Sequence, residues 1–131
     1  MNPHSKLEEL PAPFVNDTGV IQNILEQQCG SVAIISSKAG SSRSHHYHKT
    51  DEHWLYVLVG SMWYFAREHG DTRPAKLCAI VGPGQMIHTG PMVEHVTHFP
   101  ADTVMVSMSK LTRTHGIHED DVVRCKIEVE T

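Results

Sequence analysis

At 131 residues, 40% hydrophobic and 20% charged, the chain is sized for one domain that buries roughly 65% of its unfolded surface. A formal net charge of −4 at pH 7 supplies no basic field for nucleic acid or an anionic membrane. No apolar run approaches the ~20 residues of a bilayer span, and the opening MNPHSKLEEL lacks the apolar core of a signal peptide.

Residues 1–14, polar with Pro11 and Pro13, read as an arm lying on the surface or on a partner, ahead of a single domain over 15–131. NDTG at 16–19 is a turn signal. Residues 20–28 suit a short helix or a bulged strand equally, because Val20, Ile21, Ile24 and Leu25 fit one face of either. SVAIIS at 31–36 is a short strand closed by KAGSS. The stretch 53–67 reads as a hairpin turning at Gly60-Ser61. Strands follow at 76–81, 85–88, 95–99, 103–109 and 122–129, punctuated by glycine and proline pairs. HEDD at 118–121 reads as a solvated loop. Many short strands and almost no helical period indicate an all-β barrel or sandwich.

A two-residue turn would put His53, Leu55, Val57, Met62 and Tyr64 on one face, and Trp54, Tyr56, Leu58, Trp63 and Phe65 on the other. With the first face inward, the second is too aromatic to stay in water, so a homodimer is expected to cover it. Cys29, Cys78 and Cys125 are an odd set with no CxxC pair. They read as reduced thiols in an intracellular, cytoplasmic protein, with Cys78 in a buried strand.

The chemistry concentrates in 40–60, GSSRSHHYHKTDEHWLYVLVG. His46 and His48 are two apart and leave one face of a strand. KTDE reads as a turn, after which His53 can fold back toward them. Three imidazoles from adjacent strands make a ligand set for a divalent transition metal. Tyr47 should point away from the pair.

These residues resemble the two motifs of the cupin superfamily, G-x5-H-x-H-x3/4-E-x6-G and G-x5-P-x-G-x2-H-x3-N. Gly40, His46, His48 and Gly60 fall on the first, with His53 in place of the glutamate ligand. Gly84 and His95 keep the spacing of the second, whereas Gly90, Met92 and Phe99 replace its proline, glycine and asparagine. A narrower similarity, to cupins of nucleotide-sugar and polysaccharide biosynthesis, lies in NDTGVIQNIL, AGSSRSHHYHK and MVEHVTHFPADTVMVSMS. These include the 3,5-epimerase-like and sugar 3,4-ketoisomerase-like groups, where Thr18 and Ser44 here replace an arginine and a glycine.

The resemblance implies a double-stranded β-helix, or jelly-roll barrel. It also implies one divalent metal (Zn, Fe, Ni, Mn or Cu) on His46, His48, His53 and His95. Glu94, Asp51, Thr97 or backbone carbonyls would then hold the outer ring nitrogens, with Glu52 the substitute should His53 turn outward. In the narrower group the histidine matching His46 can serve as a proton-transfer base without a metal. Tyr64 is a further candidate acid or substrate contact, and Arg43 and Thr97 are candidate substrate contacts. The expected function is isomerisation or epimerisation of a small carbonyl or sugar-type substrate through an enolate. The alternatives are a non-haem Fe(II) dioxygenase with an all-histidine site and a ligand-binding or sensing barrel without turnover.

Overall fold

A computed structural model of the chain describes residues 5–114 and 116–130, the side chain of His118 excepted. Twelve strands and one short helix follow in order: β1 Ser5–Leu7, β2 Phe14–Asn16, β3 Gly19–Ile21, β4 Ser31–Ser37, β5 Ser42–His48, β6 His53–Val59, β7 Met62–Glu68, β8 Lys76–Val81, β9 Met86–Thr89, β10 Val93–His98, β11 Thr103–Ser109, α1 Ile117–Asp121 and β12 Val122–Arg124. One five-stranded sheet runs β1-β9-β6-β11-β4 and the other β12-β5-β10-β7-β8, while β2 and β3 form a separate two-stranded sheet. The two large sheets face each other as a jelly-roll barrel, with successive strands from β4 to β7 alternating between them.

Period-two patterning builds the interior. Leu55 and Val57 on β6, Met62 and Tyr64 on β7, and Ile87, Met105 and Phe99 from later segments form one buried cluster. Phe99 is fully buried, and burying a Phe side chain contributes about 1.5–3 kcal/mol. An asparagine, the motif's usual residue, would there need hydrogen-bond partners instead.

The expected hairpin over 53–67 does not form. β6 pairs with β9 and β11, and β7 pairs with β8 and β10, so Gly60-Ser61 carries the chain from one sheet to the other. Gly60 has φ +97°, and a Cβ there would stand 2.5 Å from the Asp102 carbonyl oxygen and against Thr103 Oγ1. Only glycine passes that crossing. The inward parity of His53, Leu55, Val57, Met62 and Tyr64 survives because both strands face the interior, each from its own sheet.

The supposed outer aromatic face is therefore two surfaces. Trp54 lies under Leu10, Ile24 and Leu25 of the N-terminal segment. Phe65 lies under Ile127, with Cys125 and Val129. Leu58 and Trp63 stay exposed, at 46% and 37%. Other expectations shift more modestly. Residues 5–7 of the expected arm are β1, paired with β9. Of 20–28 only the start is strand, the final strand stops at Arg124, and 117–121 is helix rather than loop. Cys29, Cys78 and Cys125 are free thiols, Cys78 only partly buried. His4 and His115 lie outside the described residues. Among the described residues, no helix is long and apolar enough to cross a membrane.

Candidate active site

The site is built where β5 is bent. Ser44 and His45 have φ of +75° and +59°, and the β5–β10 register shifts there, with His46 opposite His95 and Ser44 opposite Val96. A bulge of this kind re-aims the side chains that follow it. His45 turns outward, its Nε2 3.0 Å from Ser42 Oγ. His46 and His48 turn inward, and Tyr47 points away to stack on His69 at 4.3 Å. Ser44 occupies the position where the resemblance expects glycine, and so does Met92, at φ +61°. Both hold the left-handed backbone that a glycine would adopt without strain.

Inside, ring centroids lie 4.7 Å apart for His46–His48 and for His46–His95, and 4.1 Å apart for His48–His53. Ligand nitrogens of His46, His48 and His95 all lie within 4.8 Å of one another. A second group of the same spread joins His48, His53 and Asp51. His95 Nδ1 donates to the Val93 carbonyl at 2.9 Å, which makes Nε2 the lone-pair nitrogen. His46 Nδ1 is buried with no hydrogen-bond partner among the described residues.

His53 is held differently. Its Nε2 donates to Asp51 Oδ2 at 2.9 Å, so Nδ1 is the basic nitrogen. Asp51 is buried, and its other oxygen accepts the backbone N–H groups of Glu52 at 2.8 Å and Leu111 at 2.9 Å. Burial works to raise its carboxyl pKa, but the His53 and backbone hydrogen bonds overcome it and hold the group below the usual range. Asp121, at the end of α1, stands 3.5 Å from His48 Nδ1. It also accepts from Thr50 N and Oγ1, at 2.8 and 2.7 Å.

The imidazoles resist protonation. Burial first, then repulsion from its three histidine neighbours, lowers His46 to about 2. Burial, then His53 and His95, lowers His48 to about 3 against the pull of Asp51 and Asp121. Burial lowers His95 to about 4 despite its bond to Val93. Three neutral nitrogens at neutral pH are what a borderline divalent ion requires. His46, His48 and His95 thus fit such an ion by donor type, spacing and the unsatisfied His46 nitrogen.

Above them opens a cavity of about 260 Å³, lined in part by His46, His53, His95, Thr89, Thr97 and Ser107, with Arg43, Arg113 and Arg124 among its walls. Thr97 is buried and its Oγ1 has no hydrogen-bond partner among the described residues. Arg43 is braced by Ser37 Oγ and the Ser36 carbonyl. Tyr64 does not line this cavity. Its hydroxyl hydrogen-bonds Thr89 Oγ1 at 2.6 Å, and burial raises its phenol pKa further above the usual value. Glu94 is no partner to the cluster, because it binds Arg67 and His69, each at 2.8 Å. Glu52 turns outward to His88 at 3.0 Å, and His98 lies against Trp63 outside the barrel, the rings tilted at 58°. No local spacing marks Asp121, Arg113 or Arg124. Asp121 and Arg124 come to the site through the β5–β12 pairing, and Arg113 follows Leu111, whose N–H binds Asp51.

No family model and no curated protein matches the chain. Solved structures do. QdtA, a sugar 3,4-ketoisomerase from Thermoanaerobacterium thermosaccharolyticum in complex with TDP, matches with TM-score 0.74 and 17% identity over 95% of this chain and 90% of that one. A 3,4-ketoisomerase from Helicobacter canadensis matches with TM-score 0.73 and 16% identity, over 92% and 90%. A TDP-fucose-3,4-ketoisomerase from Campylobacter jejuni gives TM-score 0.73 and 13% identity, over 94% and 89%. Barrel, histidine arrangement and these likenesses agree: the chain has the cupin-type fold of the sugar 3,4-ketoisomerases.

Proposed function

We propose that the chain is an isomerase that shifts the carbonyl of a sugar-type substrate to the adjacent hydroxyl-bearing carbon. One observation carries this reading: uncharged imidazoles and an Asp51–His53 pair meet at a cavity walled by three arginines. His53 is the proton-transfer group. Its Nδ1 takes the proton of the hydroxyl-bearing α-carbon to leave an enediolate, Asp51 stabilises the imidazolium that results, and the proton is delivered to the former carbonyl carbon while the hydroxyl proton passes to the former carbonyl oxygen. His46, its basicity lowered by burial and by its three histidine neighbours, is disfavoured as the proton carrier and serves instead as a candidate ligand. His46, His48 and His95 would hold a divalent ion, which would supply positive charge to polarise the substrate carbonyl. Thr97 and Ser107 offer hydroxyls to the sugar. Arg43, Arg113 and Arg124 suit an anionic substituent, and the fold is shared with an enzyme crystallised with TDP-4-keto-6-deoxyglucose.

A second reading is oxygen chemistry at Fe(II), favoured by the three-histidine group itself. Incubation with a TDP-4-keto-6-deoxy sugar in deuterated water distinguishes them. Isomerisation predicts deuterium at the carbon next to the carbonyl, lost in His53→Ala. Oxygen uptake by the iron-loaded protein without deuterium incorporation would reject isomerisation.

A further inference from the structure

The inward histidines differ in what faces their outer nitrogen. His95 Nδ1 donates to the Val93 carbonyl and His53 Nε2 to Asp51 Oδ2, each at 2.9 Å. His48, 1% exposed, has Asp121 Oδ2 3.5 Å from its Nδ1. Asp121 is itself only 6% exposed, and a carboxylate in such a place is costly unless its oxygens are satisfied.

Asp121 divides its two oxygens between two tasks. Oδ1 accepts Thr50 N and Thr50 Oγ1, at 2.8 and 2.7 Å. Oδ2 accepts Asp51 N at 3.1 Å and faces His48. Its own carbonyl accepts Lys49 N at 2.9 Å, and the next residue, Val122, pairs with His48 on the β5–β12 ladder. Residues 48–51 are thus tied, one after another, to the end of α1. Oδ1 and the backbone suffice to clasp that turn. Oδ2 is the atom that reaches the chemistry, because it binds the N–H of Asp51, whose side chain holds His53, and lies against His48.

A neutral imidazole has one proton for two nitrogens, and the partner of one nitrogen decides which of them carries it. A contact of 3.5 Å is long for a hydrogen bond, yet a carboxylate charge that near favours N–H over a lone pair at Nδ1. The lone pair then falls to Nε2, as it does in His95. We infer that Asp121 is a positioning residue for the three-histidine group: it fixes His48 as the Nδ1–H tautomer and so presents Nε2 as the donor to a divalent ion. The inference rests on His46, His48 and His95 as ion ligands, and not on isomerisation. Groups that hold the outer nitrogen of a ligand histidine fix the ring and raise its basicity, and losing one costs 10–100-fold in metal affinity.

Nitrogen-15 NMR of the histidine rings in the metal-free chain at pH 7.5 tests this without any activity. The proton is expected on His48 Nδ1 in the wild type and in Thr50→Val, which removes one bond to Oδ1 from an exposed position. Asp121→Asn offers one acceptor atom where the carboxylate offers two, so its His48 should become a mixture of tautomers. Chelator competition with Co²⁺ should then show affinity lowered 10–100-fold in Asp121→Asn and close to wild type in Thr50→Val. A proton on Nε2 of wild-type His48, unchanged tautomer and affinity in Asp121→Asn, or an equal loss of affinity in Thr50→Val would each overturn the inference. The last would reduce Asp121 to a clasp of the turn. An Nδ1–H wild type that binds no Co²⁺ would reject the ion group while keeping Asp121 as the residue that sets the tautomer, so the two failures are distinct.

Discussion

Acidification should destabilise this protein well above the pH at which its carboxylates titrate. His95 is 3% exposed and its pKa falls from 6.5 to about 4 on folding. Above pH 6.5 both states are neutral and stability is full. Below it the unfolded chain takes up a proton that the folded chain refuses, so stability falls until the folded value is reached. Between pH 7.5 and 5 this single group costs 1.5 units at 1.36 kcal/mol each, about 2 kcal/mol. His46 and His48 shift the same way, but His46 is partly exposed and their mutual repulsion would be counted twice. Together the three are expected to cost about 3–4 kcal/mol, a third or more of a typical domain's stability. Asp51 and Asp121 have lowered pKa values, so their contribution stays intact above the ordinary value of 3.8 and is lost only below it. Urea titrations at pH 7.5, 6.5, 5.5 and 5.0, after dialysis against a chelator, should show the midpoint nearly level from pH 7.5 to 6.5 and dropping from there to 5.0. A midpoint constant from pH 7.5 to 5 would refute the claim that these imidazoles are buried and neutral.

Gly60→Ala should cost about 2–3 kcal/mol in urea unfolding, since the backbone of Asp102 blocks the added methyl. At Met92, already at φ +61°, valine should cost about 1–2 kcal/mol. Glycine there should change stability by less than about 1 kcal/mol, because relief of strain and added chain entropy oppose each other. His95→Ala should lower affinity for Zn²⁺ or Co²⁺ at least 100-fold in chelator competition, and unchanged affinity would remove His95 from the ligand set. Asp51→Asn should slow deuterium incorporation into the substrate by at least about 100-fold, with a smaller effect on KM.

The barrel was legible because period-two alternation survives any choice of partner strand. Leu55, Val57, Met62 and Tyr64 point inward whether β6 and β7 pair with each other or lie in opposite sheets. What alternation cannot encode is which strands pair, and so the Gly60 crossing passed for a hairpin turn. His46 and His48 were legible as a pair through their spacing, and His95 through a motif. Arg43 and Asp51 were named beside them, but Asp121, Arg113 and Arg124 were not. Asp121 reaches the vicinity of His48 through the β5–β12 ladder and its bonds to Thr50, and nothing in HEDD separates it from a solvated acidic run. Substitution at motif glycines hides the backbone from the letters, because Ser44 and Met92 keep the left-handed conformation.

Interleaving also governs how the chain must find its structure. β1 pairs with β9, β4 with β11 and β5 with β12, each joining segments more than half the chain apart in sequence. Ladders of this kind form late, because the loop entropy is lost before any contact rewards it, and domains rich in them fold in milliseconds to seconds rather than microseconds. His46 meets His95 across the β5–β10 ladder, a shorter but still non-local pairing. A chain halted before the β5–β10 closure holds every histidine of the cluster yet has no place where they converge. Capture of the proposed ion would therefore report the last stages of folding, and its rate constant should track the slowest strand-pairing step rather than diffusion of the ion.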